Sequence, residues 1–443
     1  MGLGGIIPNQ KWAIVGLAPR YKGKPDDAKE DIMHGNCPTA LFLRTALLTA
    51  ILSVGSSQAI AADRLSDVFK KSGWGLSFRY RLELVDQDPF DKDATASTLR
   101  IRLNYQTQDW QSLSMFVEFD YVSELLANDY NEGGGNTPNR GQYPVVADPQ
   151  GDDWNQAYLQ YKSSGNQARI GRQRIIFDNQ RFIGGVAWRQ NEQTYDALSF
   201  SHTAGNGFNF TWVYIDKVNR IFGNDVTAGE HSQSTHLVNV SKTFKDYGKL
   251  TAYWYDIDNE DLASLSNTTW GARFTGSSTA SDIKIEYTLE FANQVDNANN
   301  TTSYRADYWR IDLSAKFDGI TIYGGFESLE GDDAVGGQSF RTPLATLHAF
   351  NGWADKFLTT PGAGLEDAFV GAKGKVGAWS WNVLYHDFSA QSGPGNFGSE
   401  VDVSFSRKFV EKYGLLLKAA SFDSGSPSYG DTTKFWLQLT AEF

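Results

Sequence analysis

A short basic segment, GRQRIIFDNQRFIGGVAWRQ (Gly171–Gln190), carries the side chains of this sequence that are best suited to binding an anion. It holds four arginines within 20 residues and one acidic residue. The planar guanidinium group binds carboxylates and phosphates through two parallel hydrogen bonds. The chain as a whole is acidic, with a net charge of −12. Arginines concentrated in an acidic chain indicate a nucleic-acid patch, a membrane-surface patch or a site for an anionic ligand.

The remaining residues that could do chemistry narrow this choice. A nucleic-acid partner requires a basic surface, and the acidic composition argues against one. His231 and His236 are five residues apart, a weak spacing for a metal site, and we predict neither a metal nor a cofactor. His386 and Asp387 form the only adjacent His/Asp pair, and no Gly-x-Ser-x-Gly motif is present. The residues therefore predict a protein that is not an enzyme.

The N-terminal region has the layout of a secretory signal peptide. From Met33 the chain reads MHGNCPTALFLRTALLTAILSVGSSQAIAAD, a basic residue followed by an apolar run and an A-x-A site. We predict a signal peptide at residues 33–61 and interpret residues 1–32 as a non-native upstream extension from a misassigned start codon. The mature chain, residues 62–443, would have 40 − 6 = 34 basic and 52 − 4 = 48 acidic residues, a net charge of −14, and no cysteine.

The C-terminus has the pattern of a β-strand with one apolar face. In KFWLQLTAEF, alternate residues from Phe435 to Phe443 are apolar, and most of the residues between them are polar. A strand closed by an aromatic residue resembles the terminal signature of bacterial outer-membrane barrels. We therefore expect the barrel-assembly machinery to recognise the strand that ends at Phe443.

Between the two ends the sequence repeats this alternation. The segments LSFRYRLELV, TLRIRLNYQ, IKIEYTLEF and DYWRIDLSAKF each separate apolar from polar or charged residues with a period of two. No apolar run after residue 61 reaches 18 residues, which excludes a transmembrane helix. A soluble β-sandwich would show the same alternation. Charges in mid-strand and an aromatic fraction of 14%, which fits interfacial girdles, favour a membrane barrel.

Short and long connections alternate along the chain, as they do between the two sides of bacterial barrels. The longest connections are Ser123–Asp152, Arg174–Gln190 and Glu330–Gly364. We predict an all-β fold: a transmembrane antiparallel up-and-down β-barrel of about 18 strands with inward-folded outer loops. The strands are expected to begin near Gly75, Thr95, Gln111, Asp153, Asn166, Glu192, Asn206, Ser234, Gly248, Thr268, Ser281, Ser303, Gly319, Gly364, Ala378, Gly398, Tyr413 and Thr432. We expect the strand at Thr268–Gly276 to be short.

The arginine segment falls in an outer loop that is too apolar to extend into water, so we predict that it folds into the barrel mouth. There its arginines would meet others on lumen-facing strand positions. The predicted pore residues are Arg79, Arg81, Arg100, Arg102, Arg169, Arg172, Arg174, Arg181, Arg189, Asp196 and Arg310. Two interpretations stay open at this point: the arginines select anions, or they brace the wall as ion pairs.

Two stretches resemble a known family. GRQRIIFDNQRFIGGVAWRQNEQTYDA and TPLATLHAFNGWADKFLTTPGAGLED are similar to segments of the bacterial alginate-export outer-membrane family. That resemblance implies a monomeric 18-strand barrel with an arginine-rich, anion-selective constriction that passes a polyuronate. It also implies that Arg169, Arg172 and Arg174, and less directly Arg189 and Asp196, are pore residues.

The sequence therefore predicts a porin that passes small anionic solutes or acidic oligosaccharides such as polyuronates. Its other partners would be outer-membrane lipid and lipopolysaccharide, and we expect a monomer. Two alternatives remain: a barrel-rim hydrolase, either a protease or a phospholipase, and a non-selective general porin. We further predict that the loop Glu330–Gly364 narrows the mouth. Its segment LHAFNGWADKF spaces Leu347, Phe350, Trp353, Ala354 and Phe357 as on one face of a short helix.

Overall fold

The computed structural model of the protein describes residues 72–334 and 337–443. The predicted upstream extension at 1–32 and the predicted signal peptide at 33–61 lie outside these residues. Within them, no helix has the length and apolar character needed to cross a membrane.

Eighteen antiparallel strands form a single closed sheet, because β1 pairs with both β2 and β18. This confirms the predicted all-β barrel. The strands are β1 (Gly73–Gln87), β2 (Ala94–Gln106), β3 (Leu113–Asp129), β4 (Gly151–Ser163), β5 (Asn166–Gln173), β6 (Thr194–Thr203), β7 (Phe208–Asn219), β8 (Glu230–Phe244), β9 (Gly248–Ile257), β10 (Asn267–Ala280), β11 (Ile283–Asp296), β12 (Arg305–Phe317), β13 (Ile320–Leu329), β14 (Leu365–Val376), β15 (Trp379–Ser389), β16 (Asn396–Phe409), β17 (Tyr413–Ser424) and β18 (Thr432–Glu442).

The two faces of the sheet have opposite character. On β12, Trp309, Ile311 and Leu313 are 53%, 52% and 57% exposed on the outer face, whereas Tyr308 is fully buried on the inner one. A soluble barrel would bury the apolar face and expose the polar one. The reversed arrangement places an apolar surface against lipid and polar side chains in the lumen.

The connections alternate as predicted. Short turns lie at the barrel end that carries Gly73 and Phe443, and the long loops lie at the opposite end, the outer mouth. Three boundaries differ from the predictions by four residues or more. β8 begins at Glu230 instead of near Ser234. β10 is not short, because its pairing with β11 continues as far as Ala280 opposite Ile283. β3 extends to Asp129, so the long loop begins later than Ser123.

The predicted short helix in Glu330–Gly364 is wrong. Among the described residues of this segment the structure has only a single 3₁₀ turn, Leu347–Ala349. Asn351, Gly352 and Asp355 have φ values of 55°, 83° and 61°. These left-handed conformations interrupt any helix. Phe357 packs against Phe388 and Phe422 of the barrel wall instead, whereas Leu347 lines a cavity among the outer loops.

Candidate functional site

Two outer loops fold into the barrel and meet inside it. We call residues 174–193, between β5 and β6, the arginine loop, and residues 330–364, between β13 and β14, the long loop. Ile183 of the first forms a parallel β-bridge with Leu344 of the second. The amide of Gly184 donates to Leu344 O at 2.8 Å, and the amide of Thr346 donates to Gln180 O at 3.0 Å. The two loops therefore form one joined structure inside the lumen.

On one side of the barrel, arginines of β1 hold the arginine loop by its backbone. Arg79 donates from Nη1 to Ala187 O at 2.8 Å and from Nε to Gln190 Oε1 at 2.9 Å. Arg81 donates to Trp188 O, and its guanidinium lies 4.1 Å from the centre of the Trp188 ring. These arginines attach the arginine loop to the barrel wall, because most of their N–H donors are used in hydrogen bonds.

The neighbouring part of the wall is joined to the same loop by a network of arginines and carboxylates. Arg102 binds both oxygens of Asp120 at 2.6 Å and Glu192 at 2.7 Å. Arg174 binds Glu192 and also Glu118 at 3.3 Å, and Arg100 lies 3.9 Å from Glu192. Burial raises the pKa of Glu192, but Arg102 and Arg174 outweigh that effect and the pKa falls to about 2. Glu192 is therefore ionised at any physiological pH.

Across the lumen, a second cluster attaches both loops to β12 and β13. Arg181 of the arginine loop donates to Glu327 at 2.8 Å and to Asn351 of the long loop at 3.0 Å. Arg310 donates to the same Glu327 at 3.1 Å and to Asp312 at 3.0 Å. Arg181 and Glu327 are 3% and 0% exposed. The arginine loop thus crosses the lumen between opposite walls.

A third cluster joins the loops to β1, β17 and β18. Arg189 binds Glu83 at 3.0 Å and Asp355 at 3.1 Å. Asp355 also accepts bonds from Lys434 at 2.9 Å and from Nδ1 of His348 at 2.6 Å. Lys418 donates to Nε2 of His348 at 2.6 Å. Because lysine has no acceptor, this Nε2 is unprotonated and His348 is neutral. Burial is the main cause that lowers the pKa of His348, to about 3.

The predicted site residues therefore have three different locations. Eight lie at these junctions between the loops and the wall: Arg79, Arg81, Arg100, Arg102, Arg174, Arg181, Arg189 and Arg310. Arg169 lies on the lumenal face closer to the short turns, where it donates to Gln160 at 2.8 Å and covers the Tyr158 ring.

Arg172 and Asp196 lie elsewhere. They pair with each other at 2.8 Å, and they occupy the strand face of Ile170 and Leu198, opposite to the face of Arg169 and Gln173. That face points away from the lumen, because strand side chains alternate and Ile170 is an exposed apolar residue of the outer wall. We therefore leave both residues out of the proposed pore set.

The sequence reasoning missed several lumenal residues, above all the lysines. In the half of the barrel nearest the short turns, the strand positions that share a face with the loop-binding residues carry mostly neutral polar side chains and cations. At the four strand positions nearest each short turn, the lumen-facing cations are Lys162, Arg169, Lys249, Lys284, Lys316, Lys373, Lys375 and Lys408, and the carboxylates are Glu286 and Glu442. Period-two alternation could have found these lysines, had it been applied to lysine as well as to arginine.

The remaining chemical candidates are separated by the fold. His386 faces the lumen and binds Asp367 at 2.8 Å, whereas Asp387, next to it in the strand, has the opposite orientation. His231 and His236 likewise lie on opposite faces of β8. Within the described residues, no group of three or more His, Cys, Asp or Glu is arranged to hold a metal ion.

Comparisons with known proteins agree on the architecture. A family model described as alginate export matches residues 70–328. No curated protein sequence matches the chain. Among solved structures, the chain resembles OpdK of Pseudomonas aeruginosa, crystallised with vanillate, at a TM-score of 0.67 and 12% identity over 85% of this chain and 99% of that one.

Two further structures are similar in the same way. OccK8 (OprE) of Pseudomonas aeruginosa has a TM-score of 0.66 and 13% identity, with 85% of this chain and 99% of that one covered. OccAB4 of Acinetobacter baumannii has a TM-score of 0.65 and 12% identity, with 84% and 98% covered. At these identities the likeness establishes a shared fold.

Proposed function

The chain belongs to the alginate export family of outer-membrane β-barrel channels, and from this premise we propose that it passes small organic anions across the outer membrane. The observation that carries the proposal is the charge of the lumenal wall. At the four strand positions nearest each short turn, eight lumen-facing cations outnumber two carboxylates, although the chain as a whole has a net charge of −12. The local field in a narrow passage, and not the total charge, governs which ions enter it.

The arginines and the lysines have different roles in this proposal. The arginines of the arginine loop, β1 and β2, and Arg310 of β12, are bound to carboxylates or backbone carbonyls, and they fix the shape of the constriction. Of the wall lysines, Lys249 and Lys284 pair with Asp178 and Glu286, whereas Lys373 lies over the Tyr323 ring. Lys373 and Arg310 line a cavity of about 300 Å³ below the long loop, together with the carboxylates of Glu286, Asp312 and Asp367. Lys375 and Lys408 line a second cavity with serine, threonine and glutamine side chains. Lys373, Lys375 and Lys408 supply the attraction for a carboxylate.

The size of the solute follows from the joined loops. The arginine loop and the long loop are hydrogen-bonded to each other and attached to opposite walls, so they fill much of the lumen. This favours small carboxylates over a polyuronate chain, while short acidic oligosaccharides remain within the proposal. The relative OpdK was crystallised with vanillate, a small organic anion, which is consistent with this class of solute. We propose no enzymatic activity, because the fold separates His386 from Asp387.

The test is the anion/cation permeability ratio of the purified channel in planar lipid bilayers under a salt gradient. We expect the wild-type channel to prefer anions and Lys408→Gln to reduce that preference. Arg407→Gln is the matched control: Arg407 is the next residue along β16, but it lies over Trp379 and Phe409 on the outer face. Equal effects of the two substitutions would contradict the proposed role of the lumenal lysines. A channel that passes neutral and anionic solutes of one size equally well would be a general porin instead.

A further inference from the structure

A cavity lies among the outer loops, on the extracellular side of the joined loops. Its volume is about 460 Å³, which is within the range of pockets that enclose a small organic molecule. It is bounded by residues from the long loop, the arginine loop, the loops after β1, β3, β7 and β17, and the start of β18. We call it the outer cavity. A solute arriving from outside meets it before the constriction.

The walls of the outer cavity are largely apolar, although the loops around it lie outside the membrane-spanning strands. Its apolar lining includes Phe90, Val145, Phe222, Leu347 and Leu358. Val145 and Leu358 remain 44% and 43% exposed. Exposed apolar side chains gathered in a concave site, away from lipid, indicate a ligand-binding surface.

Three cations and two carboxylates, Asp88 and Asp355, also line the outer cavity, and the cations differ in their partners. Arg189 and Lys434 are bound to the carboxylates of Glu83 and Asp355. Lys356 instead donates from Nζ to the neutral hydroxyl of Thr432 at 2.8 Å. Lys356 is therefore the cation of this cavity that is best placed to receive the carboxylate of a ligand.

The charges around Lys356 leave it protonated at neutral pH. Burial and, after it, the charge of Lys434 lower its pKa to about 8. Carboxylates of three other elements, Glu400, Asp431 and Asp88, face the same ammonium and oppose that shift.

We propose that the outer cavity is a capture site for a small monocarboxylate with an apolar body, such as an aromatic acid. Its carboxylate binds Lys356, and its body packs against Phe222, Val145 and Leu358. This inference rests on the proposed function and names the class of solute more narrowly. A uronate fits less well, because its hydroxyl groups would face apolar walls without hydrogen-bond partners. A neutral aromatic molecule would form no ion pair with Lys356.

The experiment measures binding to the full-length protein in detergent by isothermal titration calorimetry. Benzoate, glucuronate and benzamide serve as probes, because they separate the carboxylate from the apolar ring. We expect benzoate to bind at least tenfold more tightly than either of the other two. Lys356→Gln and Leu358→Asn should each weaken benzoate binding at least tenfold, and Lys356→Arg should retain most of it.

The matched control is Lys92→Gln. Lys92 is another outer-loop lysine, bound to Tyr143 and not part of the cavity lining, so benzoate affinity should be unchanged. Equal affinities for benzoate and glucuronate would overturn the inference, as would benzoate binding that is the same in Lys356→Gln as in the wild type. The permeability ratio of the wild-type channel distinguishes a failure of this inference from a failure of the proposed function. If the channel prefers anions but does not bind benzoate in the outer cavity, the proposed function still holds. If the channel prefers cations, the proposed function itself is contradicted.

Discussion

Replacing Arg189 with methionine should release the joined loops from the wall of the barrel. Arg189 connects Glu83 of β1 with Asp355 of the long loop, and the three side chains are 7%, 0% and 5% exposed. After the substitution Asp355 keeps its bonds from His348 and Lys434. Glu83 instead loses its ion-pair partner while it stays buried, and this is the larger loss.

The magnitude follows from the cost of an uncompensated buried charge. Removing one partner of a buried ion pair costs about 3–5 kcal/mol. If about 3 kcal/mol of this cost destabilises the closed arrangement of the loops relative to the open one, the ratio of closed to open channels decreases roughly a hundredfold. We therefore expect Arg189→Met to show larger and noisier single-channel conductance in planar bilayers, and protease cleavage within 174–193.

The double variant Arg189→Met/Glu83→Gln tests the physical cause. Because glutamine carries no charge, the double variant should recover most of the closed conductance. Lys217→Met is the control: Lys217 of β7 pairs with Glu230 of β8 at 2.8 Å, and their side chains are 35% and 34% exposed. Such a pair contributes below about 1 kcal/mol, so conductance should not change. Wild-type conductance and protease resistance in Arg189→Met would refute the bracing role, as would a double variant that is no better than the single one.

The remaining predictions concern the loop contact, pH, assembly and processing. A Cβ at Gly184 would overlap the hydroxyl of Thr346, so Gly184→Ala should separate the two loops, destabilise their contact by about 1–3 kcal/mol and raise conductance. Gly185→Ala is the control: the atom nearest to its Cβ would be 3.4 Å away, so conductance should be unchanged. The anion preference should fall as the pH rises from 7 to 9, because Lys356, whose pKa is lowered to about 8, loses its charge; reversal potentials of Lys356→Gln should show a smaller change. Deleting Phe443 removes two backbone hydrogen bonds to Leu76 that help to close the barrel, so membrane fractionation should find less assembled barrel while export to the periplasm continues. N-terminal sequencing of the membrane-extracted protein should begin at residue 62 or 63, and a start at Met1 would contradict the predicted signal peptide.

Much of the barrel could be predicted because its physical signal is local. Each strand needs a period-two alternation between lipid and lumen, and that pattern is visible within about 10 residues. The sequence pattern predicts too short a β10, because Ser277, Ser278 and Thr279 carry no apolar signal. Their backbone nevertheless continues the hydrogen-bonded pairing with β11. Backbone pairing does not depend on the side chain, so small polar residues can extend a strand although the hydrophobic pattern does not show it.

The constriction was harder to predict, because its contacts join residues that are far apart in the sequence. Nothing near Arg189 indicates that its partners are Glu83 and Asp355. The outward orientation of Arg172 could be predicted from the sequence, since Arg172 lies on the same strand face as the apolar Ile170. The helix expected around Phe350 failed because apolar spacing alone does not reveal the left-handed residues that interrupt it.

The reversal potential of the wild-type channel in a salt gradient tests the central claim most directly. With a higher salt concentration on one side of a planar bilayer, the sign of the potential at zero current gives the anion/cation permeability ratio. The lumenal lysines predict a ratio above one, which moves toward cations in Lys408→Gln and not in Arg407→Gln. A wild-type channel that favours cations would contradict the claim that this protein passes anions.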